Sequence, residues 1–316
     1  QPATPDSVAS RGLGDVYKRQ GIHLIQMLNM IEEFPIKDMG FGSADSLHIL
    51  AEVMKRAYAD RSKHLGDMDF YDVPFSLMSK EYSILLNKSI SVNSRTASKD
   101  VFAGDPYPYE SPDTTHFSVM DQYGNAVSNT YTLNFSYGSG IMIPGTGMLM
   151  NNEMDDFSSK PGVPNGYGLL GSEANSIEAN KRPLSSMTPT IIFKDDKPYL
   201  VLGSPGGSRI ITTVLQVALN VMEHGMNVAQ AVNSPRIHHQ WLPETLMIEK
   251  GFGPDTEKLL QEKGYRLYPS STMGSVQAIL KDGEYFLWLA RFYLATMAVK
   301  NGVSLIIDLS NLADRL

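Results

Sequence analysis

The chain is predicted to fold as an α+β or layered αββα protein. Three observations carry this expectation. Two segments read as β-hairpins, one around Tyr123-Gly124-Asn125 and one around Asp195-Asp196-Lys197. Segments with apolar residues at helical spacing alternate with them. There is no internal repeat or low-complexity tract to suggest a solenoid or a linker.

The elements follow in order. A first helix is expected from Gly21, because Leu24, Ile25, Leu28 and Ile31 recur at helical spacing; Pro35 and Gly40 are expected to end it. Ser43 is a suitable N-cap for a second helix. Its apolar stripe is Leu47, Leu50, Met54 and Tyr58. Lys55, Arg56, Asp60 and Arg61 read as its solvated face. Residues 87–113 are polar, with Pro106, Pro108 and Pro112 close together, and read as an exposed, mobile segment. Phe117 and Val119 pair with Ala126-Val127 in the first hairpin, and Tyr131-Thr132-Leu133-Asn134 is expected to extend its second strand. Ile191-Ile192-Phe193 and Tyr199-Leu200-Val201-Leu202 form the second hairpin. A helix follows at Ile210, Val214, Val217 and Val221, another over Thr256–Glu262, and a strand over Val276–Leu280.

Composition narrows the function. A chain of 316 residues that is 42% hydrophobic can bury a sizeable core, as one large domain or two ordinary ones. A net charge of −7 and a pI near 5.5 argue against nucleic acid as the main partner and suit a soluble enzyme. No apolar run reaches the length of a membrane span. Cysteine is absent, which excludes disulfides, thiol catalysis and Cys-ligated zinc. No signal-peptide pattern is visible.

Chemistry concentrates around Asp113-Thr114-Thr115-His116-Phe117. A hydroxyl is a weak nucleophile at neutral pH, but a threonine at a newly made chain end carries its own base in its α-amine. That amine has a reference pKa of about 8. Cleavage before Thr114 would create such a residue; an ordinary β-forming Thr-Thr pair is the alternative. The loop Gly203-Ser204-Pro205-Gly206-Gly207-Ser208 stands between a strand and a helix. Glycines there let backbone N–H groups approach an oxyanion; a tight turn without a ligand is the other reading. Asn151-Asn152-Glu153-Met154-Asp155-Asp156-Phe157 offers carboxylates for an ammonium and amides for a carboxylate, or is a solvated acidic loop. It lacks the spacing of a calcium loop. Lys181-Arg182-Pro183-Leu184-Ser185-Ser186-Met187 places paired hydroxyls beside basic groups, which suits an anionic head group. His238-His239 reads as packing or hydrogen bonding rather than as metal ligation.

Together these segments resemble the γ-glutamyltransferases (γ-glutamyl transpeptidases, glutathione hydrolases). The resemblance runs from about Gly21 to about Gly283 and rests on GIHLIQMLN, FGSADSLHILAE, YADRSKHLGD, Thr114-Thr115-His116, TYTLN, NNEMDDFSSKPGVPN, NKRPLSSM, GSPGGSRIITTVLQ and PRIHHQWLP. It implies a four-layer αββα N-terminal-nucleophile hydrolase fold, present here incompletely. It also implies a precursor that cuts itself between Asp113 and Thr114 into a large and a small subunit that stay together. By the same resemblance Thr114 is the nucleophile and Thr132 supports it. Asn134, Glu153 and Asp156 hold the α-amino acid end of the glutamyl group, and Ser185 and Ser186 its carboxylate. Gly206 and Gly207 form the oxyanion hole. Pro161–Ser172 is a lid, with Tyr167 as its gate. The implied substrates are glutathione and other γ-glutamyl compounds, with water, amino acids or dipeptides as acceptors. No cofactor, metal, nucleic acid or membrane span is implied, and the implied location is periplasmic or secreted. Cephalosporin acylases and poly-γ-glutamate depolymerases share the fold; Asp156, with Ser185 and Ser186, favours a ligand with a free α-amino acid end.

The resemblance also sets the expected organisation. Residues 21–113 correspond to the end of the large subunit and 114–283 to the small, catalytic one. Residues 1–20 read as foreign sequence, and 284–316 diverge where the family has a glycine-rich Asp-Pro-Arg segment, as a reading-frame slip would produce. An arginine that the family uses against the substrate carboxylate has no counterpart identified in this chain. The polypeptide by itself is therefore expected to be a fragment with weak or no activity.

Overall fold

The computed structural model describes residues 21–101, 114–282, 285–290, 296–299 and 303–307. Helix α1 (Gly21–Ile31) buries Leu24, Leu28 and Ile31 as the spacing predicts. Pro35 does not end it. Proline fits the start of a helix, where its missing N–H is not needed, and Pro35 instead caps the short α2 (Ile36–Met39), which Gly40 closes at a φ of 80°. Ser43 caps α3 (Ala44–His64), its side chain accepting the Ser46 N–H at 3.1 Å.

The largest departure from expectation lies on α3. Lys55 and Arg56 are almost completely buried, Arg61 is buried and Asp60 is partly so. A charged face reads as solvated only if nothing covers it. Here it is covered by α4 (Lys80–Asn87), by the segment 89–98 and by the loop bearing Ser185 and Ser186. Residues 87–101 are thereby tied down: Ser98 is buried and exchanges hydrogen bonds with Trp241, and Arg95 pairs with Glu244. Pro106, Pro108, Pro112 and Asp113 lie outside the described residues.

The first hairpin joins β1 (Thr115–Asp121) to β2 (Ala126–Tyr131), with Asp121 Oδ1 accepting the Tyr123 and Asn125 N–H groups across the turn. Strand β2 ends before Thr132, because the chain turns at Asn134, which has a φ of 76°. The second hairpin joins β3 (Thr190–Lys194) to β4 (Lys197–Gly203) through Asp195 and Asp196, both left-handed. That is the twist a two-residue hairpin requires. Then come α5 (Ile210–Met222) and α6 (Val228–Asn233), the latter opened by an Asn227–Gln230 capping box. A small sheet of β5 (Ile237–His238), β6 (Leu246–Glu249) and β7 (Leu267–Ser270) encloses α7 (Pro254–Glu262). The chain continues with β8 (Gln277–Asp282), β9 (Tyr285–Ala290), β10 (Thr296–Val299) and β11 (Val303–Ile307).

Among the described residues the two main sheets have the orders β10-β11-β1-β2 and β3-β4-β8-β9. They pack face to face through Met120, Val201 and Ile279. Strand β4 shows the two-residue period directly. Val201 faces the other sheet, while Leu200 and Leu202 join the larger cluster formed with α1, α3 and α5. Among the described residues α1, α3 and α5 cover one sheet and the other sheet packs on its far face, an α+β architecture as the sequence predicts. The outer face of the first sheet presents Val127 and Tyr131 to solvent.

Candidate active site

Thr114 stands immediately before β1. Below it His116, Ser118 and Met120 alternate inward. His116 fills the space between the sheets, held by Thr130 Oγ1 at 2.7 Å and Ser118 Oγ at 3.0 Å. Burial lowers its pKa to about 3, so the ring is neutral. Gly203 permits that fit, since a Cβ there would lie 2.2 Å from the imidazole.

Thr114 Oγ1 donates to Thr132 Oγ1 at 3.4 Å, and Thr132 Oγ1 accepts the Asn134 N–H at 2.9 Å. The left-handed turn at Asn134 brings this strand end against the acidic loop. Asn134 Nδ2 donates to Asn152 O at 3.1 Å, and Phe135 N donates to Asn152 Oδ1 at 3.0 Å. Glu153–Asp156 then forms one tight helical turn. Tyr167 is buried; its hydroxyl donates to Asn134 O at 2.5 Å and its ring meets Phe135 edge-on. Gly206 and Gly207, with φ of 139° and 55°, lead into a short turn that continues as α5. That places a helix N-terminus, with its partial positive charge, behind the glycine loop.

Thr114, Thr132, Asn134, Asp156, Tyr167, Ser185, Ser186 and Gly207 surround one cavity that opens to solvent, with Met187 and Ile210 completing the wall. Eight of the residues singled out in the sequence therefore meet. Gly206 adjoins Gly207 without lining the cavity, Glu153 lies off the wall, and Asp113 is outside the described residues. The basic pair beside the serines does not serve them. Arg182 is bound to Asp67 through two nitrogens, at 2.8 and 2.6 Å, and also pairs with Asp69; Lys181 lies over Phe70. The acidic residues of a neighbouring loop hold Arg182 in place of the site.

The cation behind the serines is Arg61, which sequence reasoning placed in solvent. Its Nη2 donates to Ser186 Oγ at 3.1 Å and, less closely, to Ser185 O at 3.4 Å. A signal was present: Leu47, Met54 and Arg61 are seven residues apart and so share one face of α3. Tyr58, one turn earlier, donates to Ser208 O beside the glycine loop. His238 and His239 are hydrogen-bonding core residues, as expected: His238 lies between Thr212 Oγ1 and Gln240 Oε1, and His239 Nδ1 accepts the Trp241 N–H. No cluster of three potential metal ligands occurs among the described residues.

Comparison with known proteins gives the family. The family model described as Gamma-glutamyltranspeptidase matches residues 16–292. The chain is 55% identical over 269 residues to a glutathione hydrolase proenzyme of Escherichia coli (strain K12), covering 84% of this chain and 46% of that protein. A more distant relative, the acylase ACY 1 proenzyme of Pseudomonas sp. (strain SE83), is 35% identical over 262 residues, with 82% and 44% covered. A solved structure of gamma-glutamyltranspeptidase from Pseudomonas nitroreducens complexed with L-DON matches at 47% identity and a TM-score of 0.56, covering 59% of this chain and 100% of that one. The chain spans about half the length of the curated relatives it matches. With 277 consecutive residues under one family model, the chain belongs to the gamma-glutamyltranspeptidase family.

Proposed function

We propose that the protein containing this chain transfers γ-glutamyl groups from glutathione and related compounds to water or to amines. In this reading the precursor divides before Thr114, residues 114–283 belong to the small subunit, and the large subunit ends at Asp113. The Thr114 hydroxyl attacks the γ-carbonyl while its freed amine takes the proton. Gly206 and Gly207 N–H groups stabilise the oxyanion. The intermediate collapses to a γ-glutamyl ester on Thr114, and the leaving amine, cysteinylglycine in the case of glutathione, departs with the proton. Water, or the amine of an amino acid or dipeptide, then attacks the ester and releases glutamate or a new γ-glutamyl amide. Thr132 holds the nucleophile by its hydrogen bond. Asp156 receives the α-ammonium, assisted by Asn134 and Glu153, and Ser185 with Ser186 receives the α-carboxylate. Tyr167 closes the mouth. A periplasmic or secreted location accompanies this reading; among the described residues no helix is long and apolar enough to cross a membrane.

The observation that carries the proposal is the gathering of Thr114, Asp156, Ser185, Ser186 and Gly207 around one cavity. Asp156 separates it from acylase chemistry, because a carboxylate in the wall favours a donor with a free ammonium. The test is the complete reading frame that contains this chain, expressed and assayed with γ-glutamyl-p-nitroanilide. Mass spectrometry should find a small-subunit N-terminus at Thr114, and Thr114→Ala should leave the precursor whole. An active protein with an uncut chain would refute the mechanism.

A further inference from the structure

The wall that surrounds the candidate site carries one formal negative charge, on Asp156, and no cation. A γ-glutamyl donor would bring a carboxylate into that same space. The positive charge nearest the paired serines is one layer back, on Arg61. Burial pulls its guanidinium below the ordinary value, and Tyr58 and Asp156 pull it back up. Its Nη2 donates to Ser186 Oγ at 3.1 Å. Among the described residues its Nε has no acceptor. A buried N–H left without an acceptor costs stability, so holding the fold together does not by itself account for a guanidinium at this position.

The hydroxyls themselves give the direction. Ser186 Oγ accepts from Arg61, and Ser185 Oγ accepts the Met187 N–H at 3.2 Å. Each oxygen thus already accepts one hydrogen bond, and among the described residues neither hydroxyl proton is committed to an acceptor. A guanidinium donating into a hydroxyl also polarises it, which strengthens the bond its proton makes. Building on the γ-glutamyl reading above, we propose that Arg61 is a positioning residue, which fixes Ser186 as a hydrogen-bond donor into the cavity and thereby sets affinity for the α-carboxylate of the donor substrate. Arg61 stands behind the serine wall, so its role is distinct from that of an arginine facing the substrate directly.

The experiment uses the complete processed enzyme in wild-type, Arg61→Gln, Arg61→Lys, Ser186→Ala and doubly substituted forms, with kcat and KM read for γ-glutamyl-p-nitroanilide. Hydrogen bonds to charged groups are worth about 1.5–3 kcal/mol, so Arg61→Gln should raise KM by about 10- to 100-fold with a smaller change in kcat. Arg61→Lys, which keeps the charge, should recover part of that loss. In the Ser186→Ala background the Arg61→Gln substitution should shift KM by less than about threefold, because the two residues act as one unit. Equal KM shifts in both backgrounds would overturn the proposal, as would a fall in kcat at unchanged KM. If Arg61→Gln does not fold, Arg61→Lys in the two backgrounds decides by the same comparison. A wild-type enzyme that ignores γ-glutamyl-p-nitroanilide would sink the γ-glutamyl reading itself. An active wild type whose KM is insensitive to Arg61 would sink only the positioning role.

Discussion

Two clusters of buried polar side chains lie along α3, centred on Glu52 and Arg61 about two and a half turns apart, and they differ in how completely they are paired. At Glu52 the network is closed. Glu52 accepts from Lys55 at 2.6 Å, Arg56 at 2.7 Å, Tyr265 at 3.0 Å and the Thr96 N–H at 3.1 Å; Lys55 and Arg56 spend their remaining donors on Thr96 and Ser89. Burial pushes the Glu52 carboxyl up, but the two cations outweigh it and hold it at about 2. At Arg61 the network is open, ending on the Ser186 hydroxyl and the Ser185 carbonyl, both of residues that line a cavity. The same residue types on one helix thus do two jobs. The closed cluster fastens residues 89–96 to the core, and the open one keeps hydrogen-bonding capacity for something that arrives.

The strongest test of that contrast is Thr114→Ala in the complete protein. It should abolish the cut and lower turnover by more than about 10³-fold, the scale of losing a covalent nucleophile. The melting temperature should stay close to wild type, because Thr114 is only partly buried. Glu52→Gln should do the reverse. It leaves Lys55 and Arg56 buried without their anion and should cost about 3–5 kcal/mol in denaturant unfolding. Turnover per folded molecule should stay within about twofold. If Glu52→Gln lowered activity while stability held, the division between the clusters would be wrong. Asp156→Asn should reduce kcat/KM for γ-glutamyl-p-nitroanilide by about 10²-fold, since a charged partner for the ammonium is lost, with stability changed by less than about 1 kcal/mol.

Acid separates the two kinds of buried group as well. His23, His116 and His238 are held neutral by burial, each at about 3. The unfolded chain takes up their protons near pH 6.5 while the folded chain does not, so stability should fall as pH drops from about 6.5 towards 3, by about 1.4 kcal/mol per unit for each ring. Glu52 acts lower: its contribution is intact above its unfolded value of 4.5 and is lost as pH falls from there towards about 2. Unfolding midpoints measured at pH 7, 5.5 and 4 check the order. A flat profile between 7 and 5.5 would contradict the neutral-histidine account.

Much of this was legible in the chain. The hairpins, the Ser43 cap and the strand–glycine–helix passage at Gly203–Ile210 follow from local chemistry, and the structure has them where the spacing puts them. Local pattern failed where distant segments decide. The charges of α3 looked solvated because their partners, Ser89, Thr96 and Ser186, lie 33 to 125 positions away. Arg182 looked like a site residue because Asp67, 115 positions off, could not be seen to claim it. Strand β2 was read three residues too long because a left-handed Asn134 leaves no periodic trace.

The finest division lies within α3 itself, between Tyr58 and Arg61, one turn apart. Tyr58 is buried, its ring edge-on to His238 at 5.7 Å and its hydroxyl donating to Ser208 O. Ser208 belongs to the short turn that begins at Gly207. Tyr58→Phe keeps the ring and its packing and removes one hydrogen bond, which should cost about 1 kcal/mol of stability. If Gly206 and Gly207 serve the transition state, loosening their loop should lower kcat by less than about tenfold and leave KM almost unchanged. Arg61→Gln acts on the paired serines and should move KM instead. Steady-state kinetics on the two variants side by side would therefore resolve which wall binds and which one stabilises charge. Parallel changes in both constants for both variants would mean that α3 supports the cavity only as a whole.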